Sequence, residues 1–155
     1  KYFEQLEPVL KELEGKFANV SFVVIADKVP ATQLKRLHFI PWNEATEIED
    51  LMKLDIGIMP LPDDDWSRGK CGFKILQYMS LRIPSVSSPV GVNTTIVENG
   101  KNGFLCANEK EWIDCISRLV LDSSLRQDLG EAGRRTVVER YSVVSNTETF
   151  LSLFE

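Results

Sequence analysis

Residues 55–88 decide the fold. They read Asp55-Ile56-Gly57-Ile58-Met59-Pro60, then a polar loop Pro62-Asp63-Asp64-Asp65-Trp66-Ser67-Arg68-Gly69-Lys70, then Phe73-Lys74-Ile75-Leu76-Gln77-Tyr78-Met79, then Ile83-Pro84-Ser85-Val86-Ser87-Ser88. The first and last blocks are short apolar runs next to prolines, which suits strands. Residues 73–79 have helical composition and length. Strand, loop, helix and strand form a crossover unit, and such a unit requires the two strands to run parallel.

The same alternation extends both ways. Phe3, Leu6, Val9, Leu10, Leu13 and Phe17 recur at helical spacing, and Gly15 marks the end of that helix. Val20-Ser21-Phe22-Val23-Val24-Ile25-Ala26 is a nearly continuous apolar run of the kind buried on both faces of a sheet. Leu37-His38-Phe39-Ile40 is a further strand closed by Pro41, with His38 read as a core residue. Asn43 is expected to cap a helix over 44–53, whose first turns are acidic. After Ser88 the pattern gives a loop opened by Gly91, a short helix over 94–98 and a short strand over 103–106. One helix follows over 109–120 and one or two more over 123–140, and Ser142 caps a last one carrying Val143, Phe150, Leu151 and Leu153. The expected fold is α/β: one Rossmann-like, doubly wound parallel sheet with helices on both faces, in a single domain over 1–155. In such sheets ligands bind beyond the carboxyl ends of the strands. The loops after Ala26, Ile40, Pro60 and Ser88 therefore matter most.

The chain has 155 residues, 43% hydrophobic and 26% charged, with a formal net charge of -5. That balance gives no general attraction to nucleic acid or to an anionic membrane surface. No apolar run is long enough to span a bilayer, so no transmembrane segment is expected. The opening Lys1-Tyr2-Phe3-Glu4-Gln5-Leu6-Glu7 is not ordered like a signal peptide and reads as the inside of a helix, as if the chain began mid-domain. The cysteines Cys71, Cys106 and Cys115 are odd in number and the sole histidine is His38, which argues against a disulfide framework or a cysteine–histidine metal site. Reduced thiols in a cytosolic protein are the expectation.

The most informative chemistry lies in Trp66-Ser67-Arg68-Gly69-Lys70-Cys71-Gly72-Phe73-Lys74. It follows a strand and opens a helix, where unpaired N–H groups and the positive dipole end favour an anion. Gly69 and Gly72 let backbone approach a ligand. Arg68, Lys70 and Lys74 add positive charge to an otherwise acidic chain. A diphosphate fits these features; the competing reading is a flexible solvated loop with ordinary surface lysines. The Walker A spacing is absent. The loop Ser88-Pro89-Val90-Gly91-Val92-Asn93-Thr94-Thr95 has the same placement and either adds donors or merely connects. Trp42, beyond Ile40 and Pro41, either stacks on a nucleobase or covers the strand end. Asp63-Asp64-Asp65 reads as a solvated acidic loop, not a metal site.

Taken in order, Ile56 to Leu61, Trp66 to Lys74, Leu76 to Met79, Ile83 to Val86, Ser88 to Asn93 and Glu98-Asn99-Gly100-Lys101-Asn102-Gly103-Phe104-Leu105 resemble the C-terminal domain of group 1, family 4-like, GT-B glycosyltransferases. The resemblance implies the nucleotide-sugar-binding half of a two-domain enzyme, with the acceptor bound by an N-terminal domain. It implies transfer with retention, without a bound metal or cofactor, from a nucleoside diphosphate sugar to a glycan or other acceptor. Polysaccharide assembly in the cytoplasm, peripheral to the inner face of a membrane through the acceptor domain, is the family-level expectation. The fragment alone is expected to be inactive. Carried over, Arg68, Gly69, Lys70, Cys71, Gly72, Phe73 and Lys74, with Gly91, Val92 and Asn93, lie beside the donor's diphosphate and sugar. Gln77 lies at the ribose, and Ile40 and Trp42 near the nucleobase.

Three positions depart from the pattern. Gly69 and Gln77 stand where many members carry two glutamates eight residues apart, and Thr95 replaces another frequent glutamate. A neutral Gln77 still accepts from a ribose hydroxyl, more weakly than a carboxylate. These changes motivate an alternative, a non-catalytic domain that binds a nucleotide or partner with a donor-site-like fold. The resemblance also implies an opening strand and glycine turn, which do not precede Lys1. That strand would be central, so exposed strand edges and self-association through them are a further expectation.

Overall fold

The structure is a computed structural model that describes residues 2–154. The chain folds as α1 (Tyr2–Lys16), β1 (Phe22–Ala26), β2 (Leu37–Pro41), α2 (Glu47–Leu51), β3 (Gly57–Met59), α3 (Asp65–Arg68), α4 (Phe73–Ser80), β4 (Ser85–Ser87), α5 (Asn93–Ile96), β5 (Phe104–Leu105), α6 (Glu109–Leu121), α7 (Ser123–Thr136) and α8 (Val143–Leu151). Every strand pairing is parallel. The chain is thus α/β, with parallel sheet flanked by helices.

The single sheet expected from sequence is divided. Strands β1 and β2 form one sheet, and β3, β4 and β5 another in that order. Helices α1 and α6 cover one face of the larger sheet. Leu6, Val9, Leu10 and Leu13 pack there with Val86, Phe104, Trp112, Ile116 and Leu119. Ile75 and Met79 of α4 pack with Ile96 and Val97 in a second cluster, and α7 packs on α4. Between the sheets, Leu51, Tyr78 and Ile83 form a third cluster.

Arg36 joins α1 to the smaller sheet. Its guanidinium donates to the carbonyls of Phe17 and Val20, both at 2.7 Å, and to that of Glu14. The Glu14 carboxylate accepts in return from the backbone N–H groups of Lys35 and Arg36 at 2.9 and 2.7 Å. Those bonds hold the Glu14 carboxyl below the usual carboxylate range. The guanidinium bonds satisfy the Glu14 and Phe17 carbonyls, which the end of α1 leaves without helical partners.

Several local expectations need correction. Strand β1 is not buried on both faces; all five of its residues are half-buried, because it pairs on one edge only. His38 is exposed, not core. Asn43 does not cap a helix; its side chain accepts from Ala45 N–H at 2.9 Å in a turn, and α2 starts only after Thr46. Within the presumed loop, Asp64 caps the short helix α3 by accepting from Ser67 N–H at 2.8 Å. By contrast, the one or two helices read over 123–140 are present as α7, ending at Thr136, and a wider π turn, Val137–Tyr141.

Candidate functional site

Two loops meet beyond the carboxyl ends of β3 and β4. Gly72 precedes α4 with φ +71°, and Gly91 precedes α5 with φ +55°. Both values lie in the left-handed region that disfavours side chains. A Cβ at Gly91 would lie 2.6 Å from the carbonyl oxygen of Arg68, and one at Gly72 would lie 2.5 Å from Ile96 Cδ1 and 3.1 Å from Val92. The two loops are therefore pressed together, and both glycines are there because no side chain fits. Asn93 is buried and donates from Nδ2 to the Ser88 carbonyl at 3.0 Å, which ties the second loop to its own strand.

Gly69 ends α3, and Cys71 and Phe73 are exposed beside it. Each basic side chain of this segment already has a neighbour. Arg68 donates to Asp63 at 2.7 Å, and this contact is the main reason the Asp63 carboxyl is held low. The Lys70 ammonium sits 4.2 Å from the ring centroid of Tyr2, a cation–π geometry. Lys74 Nζ lies 3.6 Å from Glu47 Oε1. All three contacts are at the surface and are easily exchanged for a stronger anion.

Glu47, on α2, is the residue that sequence reasoning missed. Its Oε1 accepts from the Trp42 indole Nε1 at 3.1 Å and faces Lys74. Gln77, one turn along α4 from Lys74, also hydrogen-bonds this carboxylate. The indole bond first, then Gln77 and Lys74, hold the Glu47 carboxyl below its usual value against the opposing effect of burial. One carboxylate thus gathers Trp42, just past β2, and Lys74 and Gln77 of α4. Ile40 lies half-buried at the end of β2, two residues before Trp42. No signal in the sequence marks Glu47, which sits among Glu44, Glu49 and Asp50 on an ordinary acidic helix.

With its amide donating to Glu47, Gln77 is left with a buried Oε1 that has no hydrogen-bond partner. An orphaned buried acceptor costs about 1–3 kcal/mol, and a donor hydroxyl would remove that cost. The first-turn amides of α4 face the same end of the sheet. The structure thus gathers two glycine loops, basic side chains and an unpartnered acceptor at one strand end of an α/β scaffold. Among the described residues, no group of three His, Cys, Asp or Glu is placed to hold a metal ion. No helix among them is long and apolar enough to cross a membrane.

The family model for glycosyl transferases group 1 matches residues 3–122, and the chain belongs to that family. Spore coat protein SA of Bacillus subtilis (strain 168) is 30% identical over 80 residues, which cover 50% of this chain and 21% of that protein. S. aureus TarM, solved as a mutant with fondaparinux, alpha-GlcNAc-glycerol and UDP, superposes with a TM-score of 0.77 at 21% identity, over 100% of this chain and 33% of its own. Anabaena HepE, solved with UDP and glucose, gives a TM-score of 0.75 at 18% identity, over 94% and 43%. The chain therefore spans a fifth to under a half of the length of these relatives.

Proposed function

We propose that this chain is the donor-binding domain of a glycosyltransferase and holds a nucleoside diphosphate sugar. The observation that carries the proposal is the unpartnered Gln77 Oε1, buried on the α4 face that also bears Lys74 and set beside Trp42 through Glu47. In this reading a ribose hydroxyl donates to Gln77, and the base lies toward Ile40 and Trp42. The diphosphate lies against Lys74, Arg68, Lys70 and the α4 amides, beside Gly69, Cys71, Gly72, Phe73, Gly91, Val92 and Asn93. TarM and HepE, whose folds this chain shares, were both solved with UDP.

The chemistry assigned to this domain is electrostatic. As the bond from the sugar's anomeric carbon to the phosphate oxygen breaks, charge grows on the departing nucleoside diphosphate. Lys74, Arg68 and the helix amides offset that charge, which makes a bound metal unnecessary to this reading. The acceptor hydroxyl that forms the new bond, and the base that takes its proton, belong to a separate acceptor domain. Retention of configuration is part of the same proposal and rests on the family alone.

Calorimetry with UDP tests it. Micromolar to millimolar affinity, about -8 to -4 kcal/mol, is expected of one side of a cleft. The parent should prefer UDP to its 2′,3′-dideoxy analogue, and Gln77→Leu should lose that preference while staying folded. If the folded parent binds no nucleoside diphosphate in a panel of bases, the donor-site reading fails.

A further inference from the structure

Helix α6 returns along β5, and the register between them brings two thiols together. Cys106 follows β5 directly, and its N–H donates to the Ser87 carbonyl of β4 at 2.9 Å, so it extends the ladder. Alternate residues of a strand share a face, so Cys106 and Phe104 point the same way. The Arg118 guanidinium lies 5.0 Å from the Phe104 ring centroid, which fixes where α6 passes that face. Two residues along a strand span about 6.6 Å, comparable to one helical turn of about 5.4 Å. Cys115 stands one turn before Arg118 and therefore comes opposite Cys106. The burial pattern agrees. Trp112, Ile116 and Leu119 form the inward stripe of α6 with Cys115 among them, and Cys106 is fully buried in the cluster they pack into. Both thiols are free, and they are close enough to hydrogen-bond to each other.

We propose that Cys106 and Cys115 form a peroxide-sensitive dithiol that closes to a disulfide tying the end of β5 to α6. Their surroundings give them different parts. Cys115 is partly exposed, within reach of a small oxidant. Its thiol is held below its ordinary value, chiefly by the hydrogen bond from Cys106 and also by Arg118, against burial and the acidic Asp114 and Glu111. Cys106 is pushed up by the same hydrogen bond and by burial, and so keeps its proton. The thiolate is the nucleophile, so Cys115 reacts first. Its Sγ attacks one oxygen of hydrogen peroxide, the O–O bond breaks, and the departing hydroxide takes a proton to become water. Cys115 is then a sulfenic acid. Cys106 Sγ attacks that sulfur, the S–O bond breaks, and the hydroxyl leaves with the Cys106 proton as a second water. The two thiols together lose two electrons, and one peroxide is reduced to two waters. Cys71 is exposed in the glycine segment before α4 and serves as an internal control.

The test treats the 155-residue chain with hydrogen peroxide, alkylates the remaining thiols and digests with trypsin. Lys101, Lys110 and Arg118 put Cys106 and Cys115 on separate peptides, 102–110 and 111–118. The expected product is those two peptides joined within one chain, returned to free thiols by dithiothreitol, with Cys71 still open to alkylation. Cys115→Ser should slow the oxidation of Cys106 by about tenfold or more, because it removes the thiolate that reacts first. Cys106→Ser should leave Cys115 as a sulfenic acid that dimedone traps; if this core change prevents folding, the rate in Cys115→Ser decides. Oxidation of Cys115 to a sulfinic acid while Cys106 stays alkylatable overturns the inference. So does a crosslink through Cys71, or one whose yield grows with protein concentration. So does survival of all the thiols at a peroxide excess that oxidises the urea-unfolded chain.

Discussion

Strands β4 and β1 invert the usual link between apolar sequence and burial. Strand β4 is Ser85-Val86-Ser87 and is buried at every position, whereas β1 is Phe22-Val23-Val24-Ile25-Ala26 and is buried at none. Position explains the difference. Strand β4 lies between β3 and β5, under α1 and α6 on one face and α4 on the other. Ser85 packs tightly against Gly103, just before β5, where a Cβ would lie 2.7 Å from Ser85 Oγ. The hydroxyls of Ser85 and Ser87 have no hydrogen-bond partners. Strand β1 has one neighbour and an open edge. Burial follows from how many sides a strand has covered, and composition alone does not report that number.

The largest test of this contrast compares two isoleucines by urea denaturation. Ile75→Ala, at a fully buried site beside the β4 layer, should cost about 2–5 kcal/mol. Ile25→Ala in half-buried β1 should cost about 1 kcal/mol, since much of its side chain already meets water. Equal losses would break the comparison.

The next test concerns the join between the halves. Lys74 belongs to the β3–β4 half and Glu47 to the β1–β2 half, and their 3.6 Å contact links the two. Lys74→Ala should weaken UDP binding by about 1.5–3 kcal/mol, the worth of one charge-assisted contact. It should barely move the urea midpoint, because the pair is partly exposed. Unchanged UDP affinity in calorimetry would remove Lys74 from the site.

The smallest effect is a pH dependence. The Glu47 carboxyl titrates below its ordinary value of 4.5 in the folded chain, chiefly through the Trp42 indole. Its contribution is therefore present above about pH 4.5 and lost as pH falls through the folded value. Glu47→Gln should flatten that part of the acid limb in melts, and the Trp42 indole proton should shift in NMR spectra. An unaltered indole resonance would show that Trp42 does not depend on α2.

Much of this was legible from sequence. The five strands, the crossover helices, the Ser142 cap and the two glycine loops all follow from local patterns. Turn chemistry misled at Asn43, whose side chain closes a turn instead of opening a helix. Glu47 was invisible because its role exists only where α2, α4 and the end of β2 converge. That convergence also bears on Gln77. A glutamate there would place a second carboxylate against Glu47, whereas the amide donates to it. The division into two sheets was likewise beyond local periodicity, which describes a strand's faces and not its edges.

The contact of Gly91 with Arg68 has a thermodynamic consequence. Both loops lose their conformational freedom when the chain folds, since neither moves without displacing the other. A ligand arriving there meets donors that are already set. The ordering entropy of binding falls on the ligand's own torsions and on the surface side chains of Arg68, Lys70 and Lys74. If the proposed donor binds there, its association should depend on desolvation and on exchange of Asp63 and Glu47 for phosphate oxygens, with no loop rearrangement to wait for.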